Sequence, residues 1–385
     1  EMCIRDSCTI SYRIMNDELR VIISGGGTGG HIFPAVSIAN EIRAKRPDAK
    51  ILFVGAEGRM EMQRVPAAGY PIKGLPIAGF NRKNLLKNIP VLFKIMKSRY
   101  MARQIIKDFQ PQVAVGVGGY ASGPTLNVAE SLGIPTLLQE QNSYAGVTNK
   151  LLAKKARKIC VAYDGMARFF PADKIMFTGN PVRQNLLDNS MSKEEAIRAF
   201  DLVPGKHTIL IVGGSLGART LNESILGNLP LVKQQSKIQF IWQTGKYYSA
   251  EIKAELERRG CPANLKVMDF ISDMRQAYAA ADLVISRAGA GSISEFCLLG
   301  KPVVLVPSPN VAEDHQTKNA LALVQKGAAL YVTDADARRT LLPLAINSVV
   351  DHDKLDSLSR NILKLARPNA ASDIADEVIR LAEQG

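Results

Sequence analysis

Nowhere in these 385 residues do the roughly 18 consecutive apolar side chains of a helical membrane span follow one another, so no such span is expected. Cysteine is scarce and unpatterned: Cys3, Cys8, Cys160, Cys261 and Cys297 are odd in number, scattered, and show neither C-x-x-C nor a Cys/His ligand spacing. That speaks against a disulfide framework or a zinc ribbon and fits a reducing compartment, with Cys160 and Cys297 serving as small apolar residues. Glu1 to about Met15 lacks the apolar centre and cleavage site of a signal peptide and reads as a foreign or disordered leader. Acidic residues are missing from one long interval: Arg82, Lys83, Lys87, Lys94, Lys97, Arg99, Arg103 and Lys107 follow one another without an Asp or Glu between them.

That interval is the clearest source of a formal net charge of +13, which suits a polyanion, a phosphorylated substrate or an anionic membrane surface. Apolar residues are interleaved with its cations, among them Phe80, Leu85, Leu86, Ile89, Val91, Leu92, Phe93, Ile95 and Met96. Part of such a segment packs on its own sheet, and the rest is expected to lie on an anionic leaflet. Nucleic acid is not expected as a partner, because no nucleic-acid motif accompanies the charge.

The length and the 46 % hydrophobic content suggest two domains. Strand-like runs alternate with helix-length segments: Arg20 to Ser24, Lys50 to Val54, Val113 to Val117, Pro135 to Gln139 and Lys158 to Ala162, then His207 to Val212, Ile238 to Trp242, Leu283 to Ser286, Val303 to Val306 and Ala328 to Val332. This predicts parallel sheets covered by helices. The halves echo one another, since Ile209 to Ala218 restates the opening strand and glycine turn, and Leu283 to Pro302 restates Val113 to Pro135. Two Rossmann-like domains are therefore expected, residues 16–180 and 181–366, divided near Gly179-Asn180-Pro181-Val182. Their glycine turns would face a cleft between the domains. The closing helix, within 367–385, would pack back on the first domain through Ile374, Val378 and Leu381.

The opening strand ends in Gly25-Gly26-Gly27-Thr28-Gly29-Gly30-His31, where glycines permit close approach and helix-start amides favour an anion. His31 brings a group that takes a proton near neutral pH to that place. Gly25, Gly27 and Gly30 also satisfy the dinucleotide fingerprint, but the acidic residue due about 20 positions on is only poorly met by Glu57, which weakens a nicotinamide reading.

Further motifs follow in order: Gly116 to Pro124; Glu140-Gln141-Asn142 with Gly146 and Thr148-Asn149-Lys150; Gly179 to Arg183; Gly213 to Ala218; Ser286 to Glu295; and Glu313 to Gln316 with Asn319-Ala320. Together they resemble the MurG-type transferases of glycosyltransferase family 28 from about Arg20 to Gly385. The resemblance implies a GT-B fold and an inverting, metal-independent and cofactor-free transfer of GlcNAc. The donor would be UDP-GlcNAc, and the acceptor the C4 hydroxyl of MurNAc in undecaprenyl-pyrophosphoryl-MurNAc-pentapeptide (lipid I). It places the enzyme peripherally at the cytoplasmic face of the bacterial inner membrane and leaves room for contacts with other cell-wall synthesis or division proteins.

By the same resemblance, Ile271 would offer its backbone to uracil and Glu295 would accept the ribose hydroxyls. Ala290, Gly291 and Ser292 would present amides to the diphosphate, with Ser215 adding a hydroxyl. Gln316 would read sugar hydroxyls, Arg183 would lie on the donor side of the hinge, and Asn142 would contact donor or acceptor. Thr28, Gly29 and Gly30 would close around the reacting centre. His31 is the first choice of base, with Glu140 as runner-up. Leu216 stands where the family often has glutamine, which removes one side-chain contact to the donor.

Each assignment has a plainer rival: His31 as an orienting residue of the turn, Ser215 as an N-cap, Glu295 as a paired surface carboxylate, Tyr120 as a packed loop aromatic. Asp334-Ala335-Asp336 and Asp351-His352-Asp353 have the D-x-D spacing of metal-dependent sugar transferases, yet neither follows a glycine turn and both suit helix caps. A related transferase with another acceptor, such as a diacylglycerol, and a dehydrogenase or non-catalytic nucleotide binder are the alternatives.

Overall fold

A computed structural model describes residues 18–77, 89–182, 186 and 191–384, apart from the side chains of residues 89, 90, 92 and 312. The leader 1–15, Arg183, and Phe80 to Lys87 of the basic segment lie outside the described residues. The chain divides into two units, Glu1–Val182 with Asn369–Gly385, and Arg183–Pro368.

The first unit runs β1 (Arg20–Ser24), α1 (Gly29–Lys45), β2 (Lys50–Ala56), α2 (Glu61–Ala67), β3 (Ile72–Leu75), α3 (Ile89–Phe109), β4 (Val113–Gly116), α4 (Ser122–Ser131), β5 (Thr136–Glu140), α5 (Val147–Leu152), β6 (Lys158–Val161) and β7 (Ile175–Phe177). Its sheet is ordered β3-β2-β1-β4-β5-β6-β7, and every pairing is parallel. The central strands are β-branched and buried on both faces. In register, Val21 stands beside Ile51 on one side and Val113 on the other. Continuous apolar runs belong to a parallel sheet covered on both sides.

The second unit runs α6 (Lys193–Ala199), β8 (His207–Val212), α7 (Arg219–Gly227), α8 (Leu229–Gln234), β9 (Ile238–Gln243), α9 (Ser249–Arg259), β10 (Leu265–Met268), α10 (Met274–Ala280), β11 (Leu283–Ser286), α11 (Ala290–Leu299), β12 (Val303–Leu305), α12 (His315–Val324), β13 (Leu330–Tyr331), α13 (Ala337–Val349) and α14 (His352–Leu363). Its sheet, β10-β9-β8-β11-β12-β13, is again all parallel. Trp242, fully buried on β9, donates from its indole nitrogen to Asn222 Oδ1 at 3.0 Å, so its one polar atom is satisfied inside the core.

The last helix, α15 (Ala370–Gln384), belongs to the first unit. Ile374, Ala375, Val378 and Leu381 are buried in one core with Ile32, Ile38 and Ile42 of α1. Lys45–Asp376 at 2.8 Å and Arg46–Glu383 at 3.7 Å rim the contact. Exposed ion pairs are worth little, so the apolar face holds this helix. The unit boundaries fall two residues beyond the positions expected from sequence.

Strands β3, β7 and β10 were not marked by any apolar run, and all three stand at sheet edges. Edge strands are covered less completely, and here their residues are mostly only half-buried, so the continuous apolar signal is missing. For the same reason the run Ala328 to Val332 yields only the short edge strand β13.

Candidate functional site

In each unit the strand order reverses direction between the first strand and the fourth, β1/β4 and β8/β11, and crevices for ligands open at the carboxyl ends of strands flanking such a point. The sequence motifs fall there: Gly25 to His31 after β1, Gly118 to Tyr120 after β4, Gly213 to Ala218 after β8, and Arg287 to Ser292 after β11.

In the first unit, Thr28 is the N-cap residue of α1 with extended backbone and no side-chain cap bond. His31, in the first turn, places Nδ1 at 2.9 Å from Gly26 O and 3.4 Å from Thr28 Oγ1. A carbonyl only accepts, so Nδ1 carries a hydrogen, and in the neutral ring Nε2 is then the lone-pair nitrogen. The ring lies over the loop after β4: a β-carbon at Gly118 (φ +91°) would sit 3.0 Å from Nε2, so only glycine admits the imidazole there. Ser122 Oγ, 2.7 Å from Ser24 O and 2.9 Å from Gly118 O, ties the end of β1 to the same loop. Tyr120 and Phe33 are half-exposed beside these turns. The turn at Gly25 is less of an anion cradle than its glycines suggest, because the Gly27 amide already donates to the buried Glu61 carboxylate at 2.8 Å.

Glu140 is buried at the end of β5, and its carboxylate is heavily engaged. Oε1 accepts from Asn142 N at 3.1 Å and Asn142 Nδ2 at 3.4 Å, while Oε2 accepts from Gly146 N and Asn149 Nδ2, both at 2.9 Å. A carboxylate with four donors on it shapes the 141–146 loop and orients Asn142. Behind it, Gln139, Gln141 and Asn180 form a buried amide chain in which Gln139 Nε2 donates to Asn180 Oδ1 and Asn180 Nδ2 to Gln141 O, both at 3.0 Å. Gln141 Nε2 donates to Val117 O at 2.8 Å, so this chain also holds the loop under His31.

In the second unit, α11 starts from Gly289 in extended conformation, with no side-chain cap and no acidic residue in its first turn. Among the described residues nothing lies within 4 Å of where a β-carbon would stand at Gly289 or Gly291, and no side chain caps the amides that begin the helix. An uncapped helix start of this kind favours an anion. Glu295 lies one turn on, and Tyr278 OH donates to its Oε2 at 2.8 Å. Ser215 and Leu216 are exposed in the turn after β8, which Gln243 Nε2 braces through Gly214 O at 3.1 Å.

Ile271 is buried, between exposed Phe270 and Ser272. Just beyond, Asp273 caps α10 and is held below the ordinary carboxylate range, chiefly by hydrogen bonds from the Arg275 guanidinium. Gln316 Oε1 accepts from Ser308 N at 2.9 Å, so its amide is held by the carbonyl end. The preceding Glu313 (φ +56°) and Asp314 (φ +52°) are consecutive left-handed residues, each costing on the order of 1 kcal/mol.

Asp334 does not stand open to a ligand. It bonds Arg287 Nη1 at 2.5 Å and accepts from Thr220 Oγ1 at 2.9 Å, while Arg287 also donates to Val306 O and Pro307 O, both at 3.1 Å. Asp336 bonds Thr333 and Arg339 at the start of α13, and Asp351 caps α14 through Lys354 N.

Glu61, Tyr278 and Arg287 were not singled out from sequence. Their partners lie 34, 17 and 47 positions away, and no local pattern marks such pairs.

Residues 21–161 match the Glycosyltransferase family 28 N-terminal domain and residues 208–378 the Glycosyltransferase family 28 C-terminal domain. The chain is 69 % identical over 369 residues, 96 % of it and 99 % of the relative, to a Bacteroides thetaiotaomicron protein named UDP-N-acetylglucosamine--N-acetylmuramyl-(pentapeptide) pyrophosphoryl-undecaprenol N-acetylglucosamine transferase. A Porphyromonas gingivalis protein of the same name is 55 % identical over 96 % of this chain and 97 % of its own. Among solved structures, Acinetobacter baumannii MurG aligns with TM-score 0.76 at 30 % identity, covering 94 % of this chain and 99 % of that one. A Neisseria meningitidis UDP-GlcNAc 2-epimerase shares the fold at TM-score 0.65 and 16 % identity, covering 94 % of this chain and 100 % of its own.

Proposed function

This chain belongs to glycosyltransferase family 28, and on that footing we propose that its two units divide one sugar transfer between them. The chain transfers N-acetylglucosamine from UDP-GlcNAc to lipid I, forming lipid II and UDP in peptidoglycan synthesis. The acceptor atom is the C4 hydroxyl of MurNAc, and displacement from the face opposite the leaving nucleotide inverts the anomeric centre.

The second unit holds the donor. Glu295, an acceptor-only group oriented by Tyr278, takes the ribose hydroxyls, the Ile271 backbone meets uracil, and Gln316 Nε2 meets sugar hydroxyls. As the bond to the sugar breaks, charge grows on the β-phosphate. The amides of Ala290, Gly291 and Ser292 receive it, with Ser215 adding a hydroxyl; preorganised donors of this kind are worth roughly 3 kcal/mol each in a transition state. Leu216 supplies no hydrogen bond at the position where the family often has glutamine. Arg183 is assigned to the donor side from sequence alone.

The first unit holds the acceptor. His31 Nε2 takes the proton of the attacking hydroxyl, Thr28, Gly29 and Gly30 surround the reacting centre, and Asn142, held by Glu140, contacts donor or acceptor. Glu140 itself serves as the loop's anchor rather than as the base.

The observation that carries this division is the uncapped, glycine-bearing start of α11 with Glu295 one turn along. Purified protein with UDP-GlcNAc and a lipid I analogue tests it. His31→Ala is expected to lose turnover by about 10²–10⁴-fold while UDP still raises its melting temperature. Glu295→Ala is expected to lose most of that UDP stabilisation. The reverse pattern would refute the division.

The described part of the basic segment supports peripheral attachment to an anionic leaflet. Val91, Ser98, Ala102 and Ile106 face the core, whereas Phe93, Met96 and Tyr100 form a second apolar stripe that is exposed. Lys94, Lys97, Arg99, Arg103 and Lys107 flank that stripe, all exposed. A helix with two apolar faces separated by cations packs on its sheet with one and meets a headgroup region with the other. Such a stripe supports work at the cytoplasmic face of the inner membrane, where a lipid-linked acceptor would be anchored.

A further inference from the structure

Glu61 is 1 % exposed at the first position of α2. A buried anion is costly unless its lone pairs are met. Here two backbone amides meet them: Ala56 N donates to Oε1 at 3.0 Å and Gly27 N to Oε2 at 2.8 Å. The Gly27 N–H belongs to the same peptide group as the Gly26 carbonyl, and that carbonyl accepts from His31 Nδ1 at 2.9 Å. Carboxylate, peptide and imidazole thus stand in one hydrogen-bonded line. The turn is shaped around it, since a β-carbon at Gly26 (φ +153°) would lie 2.2 Å from Glu61 Oε1. The Ala56 amide, at the end of β2, anchors the line to the strand paired with β1.

We infer that Glu61 is a positioning residue for His31, acting through the Gly26–Gly27 peptide, an inference that rests on the reading of His31 as the base. An anion drawing on the Gly27 N–H increases the negative charge on the Gly26 oxygen, and this strengthens the bond from Nδ1–H. The ring is thereby locked in the Nδ1–H tautomer with Nε2 as acceptor. The imidazolium that forms in the reaction is stabilised as well. The acceptor O–H bond breaks and its proton goes to Nε2. The oxygen forms the new bond to the sugar carbon, and the bond to UDP breaks with its electron pair on the phosphate.

Packed around the ring, among other groups, are Thr28 on its own turn, the Gly118 backbone from the loop after β4, and behind that glycine the neutral Gln141 amide. Glu61 reaches the ring through the peptide. Replacing its carboxylate by a neutral amide removes support from the imidazolium, so His31 would titrate at lower pH.

Two measurements test this. Imidazole ¹⁵N shifts of the wild-type chain above pH 8 are expected to show the Nδ1–H tautomer; a dominant Nε2–H tautomer overturns the inference without any variant. In Glu61→Gln, the ascending limb of kcat/KM against pH is expected to move down by about half a unit or more, and kcat to fall about tenfold. KM for UDP-GlcNAc should stay within about threefold, because the donor groups are in the other unit. An unmoved limb with kcat within about twofold of wild type overturns it too. A melting scan with and without UDP checks the variant's fold, and where the variant does not fold the wild-type tautomer decides alone. His31→Ala retaining full turnover would instead sink the assignment of the base, whichever tautomer is found.

Discussion

The exposed stripe on α3 permits a quantitative test of membrane attachment. Phe93 and Met96 are 70 % and 69 % exposed, so about two thirds of each side chain remains to be taken out of water. Full burial of such a side chain is worth about 1.5–3 kcal/mol, and partial entry of the exposed two thirds into a headgroup region roughly a third of that, so replacing both by serine removes about 1–2 kcal/mol of attachment. At 1.4 kcal/mol per tenfold, vesicle affinity should fall about 5–25-fold. The flanking cations each add on the order of 1 kcal/mol on an anionic surface at low salt, and this part should fade as salt rises. The assay is co-sedimentation of the Phe93→Ser/Met96→Ser variant with vesicles containing anionic lipid, at low and high ionic strength, against neutral vesicles. Neither residue belongs to the buried face of α3, so thermal stability should be unchanged. Binding within about twofold of wild type, or equal binding of wild type to neutral vesicles, would refute the reasoning.

Two further outcomes are expected. Asp334→Asn breaks the Arg287 ion pair and should cost about 2 kcal/mol, or roughly 4–8 °C in the melting temperature of a unit of this size, while EDTA leaves wild-type turnover intact; turnover abolished by EDTA and restored by magnesium would reinstate a metal role for the D-x-D pairs. Burial raises the thiol pKa of Cys297 to about 12 and pushes that of Cys160 higher still, so at pH 8 both are protonated and poor nucleophiles. Of the described cysteines, iodoacetamide should then label exposed Cys261 in the native protein; rapid labelling of Cys160 or Cys297 would contradict their packing.

Much of the architecture was legible because it is repetitive and apolar. β1, β4, β8 and β11 are central parallel strands, and a strand buried on both faces must be apolar along its length. The edge strands escaped notice because solvent replaces a neighbour on one side. The site was legible where glycine or an uncapped helix start marks a turn, as at Gly25, Gly213 and Gly289. It was illegible where a side chain serves a residue far along the chain. Glu61 looks like any first-turn acid, and Tyr278 like any core aromatic, until folding brings Gly27 and Glu295 to them.

From sequence alone follow the class of fold, the echo between the halves, and the glycine turns in their order, since periodicity and turn chemistry are local properties of the chain. Only tertiary structure decided which of those groups are still available. It filled the Glu140 carboxylate with four donors, closed Asp334 onto Arg287, and turned one apolar stripe of α3 inward and the other out. It also set Glu61 behind His31 through a single peptide group. Hydrogen-bond capacity and burial are spent between residues distant in sequence, and the chain's order does not reveal which of them will meet.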